Sequence, residues 1–297
     1  MRAIYASFTV NVATFALKAL SAAYSSSSAV NAELYHSLGD LVGSGLLAAG
    51  ALFMGRSPSI KYPFGYGRSI YVFGLLSSLA FGGLLFAASL GEGIARLASL
   101  SAVTASQAAS LALLAAAVAD VGVLAWGVGE YLTGLRDPAT KGVIVENISD
   151  SIGDAAALTS IALRNPYIDA YGAFTVSAFL LVSSISLGYR YFNVLVGSSA
   201  PRNVVGRAIK VAVSIPYIVD VNDVKSLVVG PDEYLVIMQV EVPPHLSAED
   251  VEVAREELRE RLLSAEPRIK YLVVEFVTPK APEGSFRKLL ADVVKLG

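Results

Sequence analysis

Six apolar stretches occupy roughly residues 3–24, 32–55, 69–95, 107–133, 142–163 and 168–190. Each is close to the ~20 residues that carry an α-helix across a bilayer. In hydrocarbon every backbone N–H and C=O must be satisfied within its own segment, so six such runs point to a bundle of membrane-spanning helices. The first run has the look of a signal peptide, with Arg2 ahead of it, but Asn11 and Lys18 interrupt it and five further spans follow. Charge then changes abruptly along the chain. Residues 1–200 carry ten Lys/Arg and ten Asp/Glu, whereas residues 201–297 carry thirteen and fifteen. The expected division is a six-helix transmembrane domain over 1–200 and a water-soluble domain over 201–297. A net charge of −2 argues against a nucleic-acid partner, and the absence of cysteine excludes disulfides and thiolate metal sites.

Lysine and arginine in the short loops orient the spans. Arg2, Arg56, Lys61, Arg68, Arg136, Lys141, Arg190, Arg202, Arg207 and Lys210 flank one side, and only Arg96 and Arg164 lie near the other. The expectation is a multi-pass protein of the cell membrane with both termini in the cytoplasm and the charged tail beneath.

In the tail, "PRNVVGRAIKVAVS" has helical periodicity, and the β-rich runs "VKSLVV" and "YLVIMQVEV" joined by "GPDE" read as a hairpin. "SAEDVEVAREELRERLLSA" opens with Ser247 and places Asp250 three residues on, close to a capping box. "IKYLVVEFV" closes the domain as a strand. The order αββαβ predicts a cytoplasmic α/β domain of the ferredoxin-like kind. His245, alone in the "VPPHLS" loop, reads as a solvated surface residue.

Ionisable groups at membrane depth cost at least ~2.5–3.5 kcal/mol each, so they need a partner or a task. Here they are unevenly distributed. "YHSLGDLVGS" sets His36 and Asp40 four residues apart in span 2, and span 5 carries Glu146, Asp150 and Asp154 at the same spacing. Residues four apart share a helix face, so each span presents a column of ligand-type groups in one direction. Stacked carboxylates without a matching Lys or Arg call for a cation. Lys18 and Asp120 read as a structural ion pair between spans, and Glu33, near the end of span 2, as a snorkelling or rim residue.

Counting from Asn31 and Lys141, Asp40 and Asp150 are each nine residues in, or ~13 Å at 1.5 Å per residue. Both therefore fall near the middle of a ~30 Å core, and His36 comes out closest in depth to Asp154. A cluster of His36, Asp40, Asp150 and Asp154, one imidazole with carboxylates, suits a first-row divalent ion.

At this point the residues resemble a known family. "NVATFALKALSAAYSSSSAVNAELYHSLGDLVGS" is similar to the first two helices of the cation diffusion facilitators, which carry an Asn and a Lys on helix 1 and a His- or Asp-x-x-x-Asp pair on helix 2. "YPFGYGRS" resembles their loop between helices 2 and 3, "ENISDSIGD" falls where helix 5 supplies the second pair, and the tail order matches their cytoplasmic domain. The resemblance implies a proton-coupled exporter of divalent metal, working as a homodimer by alternating access. Two departures stand out. The helix 5 histidine of zinc members is replaced by the column Glu146, Asp150, Asp154, so Mn2+ or Fe2+ gains ground over Zn2+. Tyr62 and Tyr66 stand where loop histidines would be, so an accessory loop metal site is not expected.

The expected function is thus a divalent cation (Zn2+, Mn2+ or Fe2+) efflux transporter and metal/proton antiporter, with His36, Asp40, Asp150 and Asp154 as ligands. Family spacing favours Glu146 as partner of Asp150, whereas depth favours Asp154; depth is preferred here, leaving Glu146 as a reserve ligand in the inner vestibule. No cofactor is expected, the metal being cargo, and no nucleophile–base arrangement suggests an enzyme. The competing readings are a metal-sensing membrane scaffold without transport and an organic-cation permease.

Overall fold

A computed structural model of the chain describes residues 2–133 and 138–278, with side chains described outside 2–8, 81–82 and 138–143. Arg136 and the side chains of Arg2 and Lys141, used above for orientation, lie outside the described residues. The chain divides into two compact units, Met1–Gly50 with Val72–Tyr191, and Ala51–Tyr71 with Phe192–Gly297.

Among the described residues, six long helices make up the first part of the chain: α1 Arg2–Ala23, α2 Ser28–Met54, α3 Ser69–Ser99, α4 Gln107–Leu132, α5 Pro138–Leu163 and α6 Pro166–Val196. Among the described residues, α2, α3, α4 and α6 are by length and composition long and apolar enough to cross a membrane, and Thr9–Ala23 is a shorter apolar stretch. The acids Glu146, Asp150 and Asp154 dilute the apolar character of α5.

In lipid, apolar side chains gain nothing by leaving hydrocarbon, so helices associate through close backbone packing over small residues. α4 does this with Ala109, Ala112 and Ala116, all buried, and it packs along both α1 and α5. α2 and α6 approach through Ala32 and Ala173, which share a buried cluster, and at Gly172, where a Cβ would come within 2.8 Å of Ala29 Cβ. At Gly93 of α3 a Cβ would come within 2.5 Å of the Phe174 ring of α6, so glycine sets that approach. A π-helical turn, Phe81–Leu85, interrupts α3. At one end of the bundle the α1–α2 and α3–α4 connections join, with Ser26 N donating to Thr104 O at 2.8 Å.

The second unit holds α7 Arg202–Ala212, β1 Asp220–Gly230, β2 Glu233–Glu241, α8 Ala248–Ala265 and β3 Ile269–Val277. β1 and β2 form the expected antiparallel hairpin, and the crossover through α8 makes β3 parallel to β2. Both helices cover one face of the sheet, burying Val204, Ala208, Leu258 and Leu262 against Val236, Met238 and Val240. This is the αββαβ ferredoxin-like arrangement predicted from the tail. Ser247 and Asp250 form the capping box of α8, with Asp250 N donating to Ser247 Oγ at 3.1 Å and Ser247 N to Asp250 Oδ2 at 2.9 Å. His245 is exposed in the loop before it.

The α2–α3 loop belongs to this unit. Phe64 meets Tyr271 edge-on with ring centroids 5.1 Å apart, and Arg68 Nη2 donates to the carbonyls of Val194 and Leu195, each at 2.7 Å. Tyr62 and Tyr66 pack against each other at 4.6 Å.

Candidate metal centre

Lys18 of α1 reaches into the bundle and is fully buried. Its ammonium lies 2.8 Å from Glu33 Oε1 of α2, 3.0 Å from Asp120 Oδ2 of α4 and 3.0 Å from Asp154 Oδ1 of α5. The expected pairing of Lys18 with Asp120 is present, but it is one arm of a three-way junction. Glu33 is not a rim residue. Its side chain is completely buried, because α2 starts at Ser28, four residues earlier than the apolar run suggests, which sets Glu33 more than a turn inside the helix.

One step from this junction lies the histidine. His36 Nδ1 is 3.8 Å from Glu33 Oε2 and 3.7 Å from Asp150 Oδ1. These separations are too long for hydrogen bonds, and neither His36 Nδ1 nor Glu33 Oε2 has a hydrogen-bond partner among the described residues. Burying polar atoms without partners is costly. Metal–ligand bonds of about 2.0–2.2 Å at tetrahedral angles set neighbouring donor atoms roughly 3.3–3.6 Å apart. The observed spacing is only slightly wider. Glu33, His36 and Asp150 each offer a donor atom, all within 4.8 Å of one another, and all three residues are buried.

The remaining sequence-derived candidates fall around this trio. Asp40, one turn from His36 on α2, interacts electrostatically with it and with Asp150. Glu146 accepts a hydrogen bond from Asn11 Nδ2 at 2.8 Å and interacts with Asp40. Asp154 faces Lys18. Thus α5 lies one helical turn along α2 from where the span boundaries predict: His36 faces Asp150, and Asp154 stands level with Glu33.

The register is set at the start of α2. Ser27 Oγ accepts from Val30 N at 3.2 Å, capping the helix. Asp169 of α6, itself fully buried, accepts from Ser27 Oγ at 2.5 Å, Ser28 N at 2.8 Å and Ala29 N at 3.1 Å, and from the hydroxyl of Ser160 on α5. Arg96 of α3 closes the cluster, its Nε 2.7 Å from Asp169 Oδ2.

Gly153 completes the local design. A Cβ there would overlap the Glu33 carboxylate, so this glycine makes room for Glu33 against α5. Sequence reasoning missed both Glu33 and Gly153. The available signal was the i,i+3 spacing of Glu33 and His36.

The cation efflux transmembrane domain family matches residues 4–196. A relative named as a mitochondrial proton-coupled zinc antiporter, SLC30A9 of Xenopus laevis, is 23% identical over 283 residues, covering 87% of this chain and 51% of the relative. The chain therefore spans about half the length of that curated relative. The magnetosome protein MamB of Paramagnetospirillum magneticum is 25% identical over 295 residues, covering 96% of this chain and 95% of the relative. Among solved structures, a nickel form of the MamM C-terminal domain is 20% identical with a TM-score of 0.26, covering 27% of this chain and all of that one.

Proposed function

This chain belongs to the cation efflux family, the cation diffusion facilitators that its first two helices resemble, and from that premise we propose that it exports a divalent first-row metal ion in exchange for protons. The observation that carries the reading is the buried His36 Nδ1, flanked at 3.8 and 3.7 Å by carboxylate oxygens of Glu33 and Asp150. His36, Asp40 and Asp150 bind the ion, with Glu33 Oε2 as a further donor. Glu146, held by Asn11, draws metal toward them, and Asp154 serves Lys18.

A set of one imidazole and several carboxylates accepts Zn2+, Mn2+ or Fe2+. Ligands must be deprotonated to bind, so protons compete for the same groups and their entry releases the metal. Alternating access then couples the two flows. The name of the SLC30A9 relative, a proton-coupled zinc antiporter, supports this coupling. Both termini lie in the cytoplasm of a cell-membrane protein, as the loop charges favour, and the tail pairs two copies across a two-fold axis.

The test is a metal-by-metal flux series on purified protein in vesicles with an imposed pH gradient. Uphill metal movement driven by the gradient, lost in folded Asp40→Ala, is the expected result. Metal binding without flux would favour a sensing scaffold, and competition by an organic cation would favour a permease for such cations; either outcome overturns the reading.

A further inference from the structure

We infer that Lys18 is a specificity-determining residue, which withholds Asp154 and one oxygen of Glu33 from the metal and so limits the number of carboxylate donors the ion meets. The inference rests on the metal-site reading above. An ammonium has three N–H donors, and three carboxylates from three helices surround this one, at 2.8, 3.0 and 3.0 Å. Lys18 and Glu33 are fully buried, and Asp120 and Asp154 are each 1% exposed, so solvent does not screen the junction.

Glu33 is shared. Its Oε1 accepts from Lys18 Nζ while its Oε2 turns toward His36 Nδ1. Asp154 is one ammonium away from that shared carboxylate, and its Oδ2 has no hydrogen-bond partner among the described residues. The positive charge of Lys18 is therefore what separates Asp154 from the ion. Without it, Asp154 and the second oxygen of Glu33 become donors. More oxygen ligands favour an ion that takes six of them, such as Mn2+, over one content with four mixed ligands, such as Zn2+.

Full-length protein in detergent is titrated with Zn2+ and with Mn2+ separately, and the ratio of the two affinities is read. In Lys18→Gln the preference for Zn2+ over Mn2+ should fall about tenfold, a change equivalent to about 1.4 kcal/mol. Adding Asp154→Asn to Lys18→Gln should recover part of the lost preference, the freed Glu33 oxygen accounting for the rest, and Lys18→Arg, which keeps the charge, should retain the wild-type ratio. Should Lys18→Gln fail to fold, the charge-balanced Lys18→Gln/Asp120→Asn is read in the same way. A ratio unchanged in the folded variant, or a shift left undiminished by Asp154→Asn, overturns the inference. Wild-type protein that binds neither metal overturns the metal-site reading itself, so the two failures are distinguishable.

Discussion

The hydroxyl oxygens of Ser27 and Ser160 lie 3.1 Å apart, and Asp169 accepts a hydrogen bond from each. That point fixes the register of α2 against α5. Six residues on from Ser27 is Glu33, six back from Ser160 is Asp154, and both meet Lys18. Three further residues in α2 and four in α5 bring His36 opposite Asp150.

Asp169→Asn should therefore destabilise the bundle strongly. It leaves the Arg96 guanidinium buried opposite a neutral amide, and breaking a buried pair from one side costs about 3–5 kcal/mol. Thermal unfolding of the purified protein measures this. The double variant Asp169→Asn/Arg96→Met should recover part of the loss, since it removes the orphaned charge. An unfolding temperature equal to wild type in Asp169→Asn would refute the role given to this cluster.

Gly153→Ala should act on Glu33 rather than on α5 alone, because the added methyl occupies the space of the Glu33 carboxylate. Overpacking of this kind costs about 1–3 kcal/mol. Zinc affinity should fall along with stability, and Gly153→Ala/Glu33→Asp, with a shorter acid, should regain stability. Gly153→Ala that binds and unfolds like wild type would contradict the packing of the Glu33 carboxylate against α5 at Gly153.

His36→Ala should remove stoichiometric metal binding while the tail stays folded, since the imidazole supplies the one nitrogen donor of the trio. Calorimetric titration checks the first part and circular dichroism the second. Full binding in a folded His36→Ala would rule out the site.

Glu266 in the second unit gives a pH dependence with a defined sign. Its carboxylate accepts from Arg268 Nε at 2.7 Å and Nη2 at 3.0 Å, with Arg207 Nη1 at 3.3 Å. The Arg268 hydrogen bonds hold its pKa below the ordinary glutamate value, against the opposing effect of burial. The unfolded chain thus binds this proton more readily than the folded one. The stabilisation is complete above the ordinary glutamate pKa of about 4.3 and is lost as pH falls through the lower folded value. Hydrogen exchange of β3 in the full-length protein should show that acid loss, and Glu266→Gln should flatten it. An identical acid limb in the variant would remove Glu266 as the cause.

The tail was legible in sequence because its signals are local. The turn residues of "GPDE", the Ser247–Asp250 box and the apolar spacing of α8 each lie within a few positions of what they control. The bundle was legible as spans, and the opposite charges of Lys18 and Asp120 were legible as a pair. The depth of Glu33 was not. The polar run before α2 reads as loop, yet Ser28 and Ala29 are helical because Asp169, 140 or more positions away, accepts their N–H groups. A cap supplied from so far along the chain leaves no mark near the helix it starts. The same unseen cap moved the register by a turn and exchanged the neighbours of Asp150 and Asp154.

The lysine junction also constrains how the chain can enter a bilayer. A lone lysine at mid-helix costs about 2.5–3.5 kcal/mol to insert, and α1 by itself offers no acid to offset it. The nearest partner in sequence, Glu33, is 15 residues on, in the next helix. The hairpin of α1 and α2 is thus the smallest piece of nascent chain in which this charge is neutralised. Asp120 and Asp154 reach the ammonium only once α4 and α5 are in place, so in the α1–α2 hairpin the charge of Lys18 rests on Glu33 as its one partner in the junction.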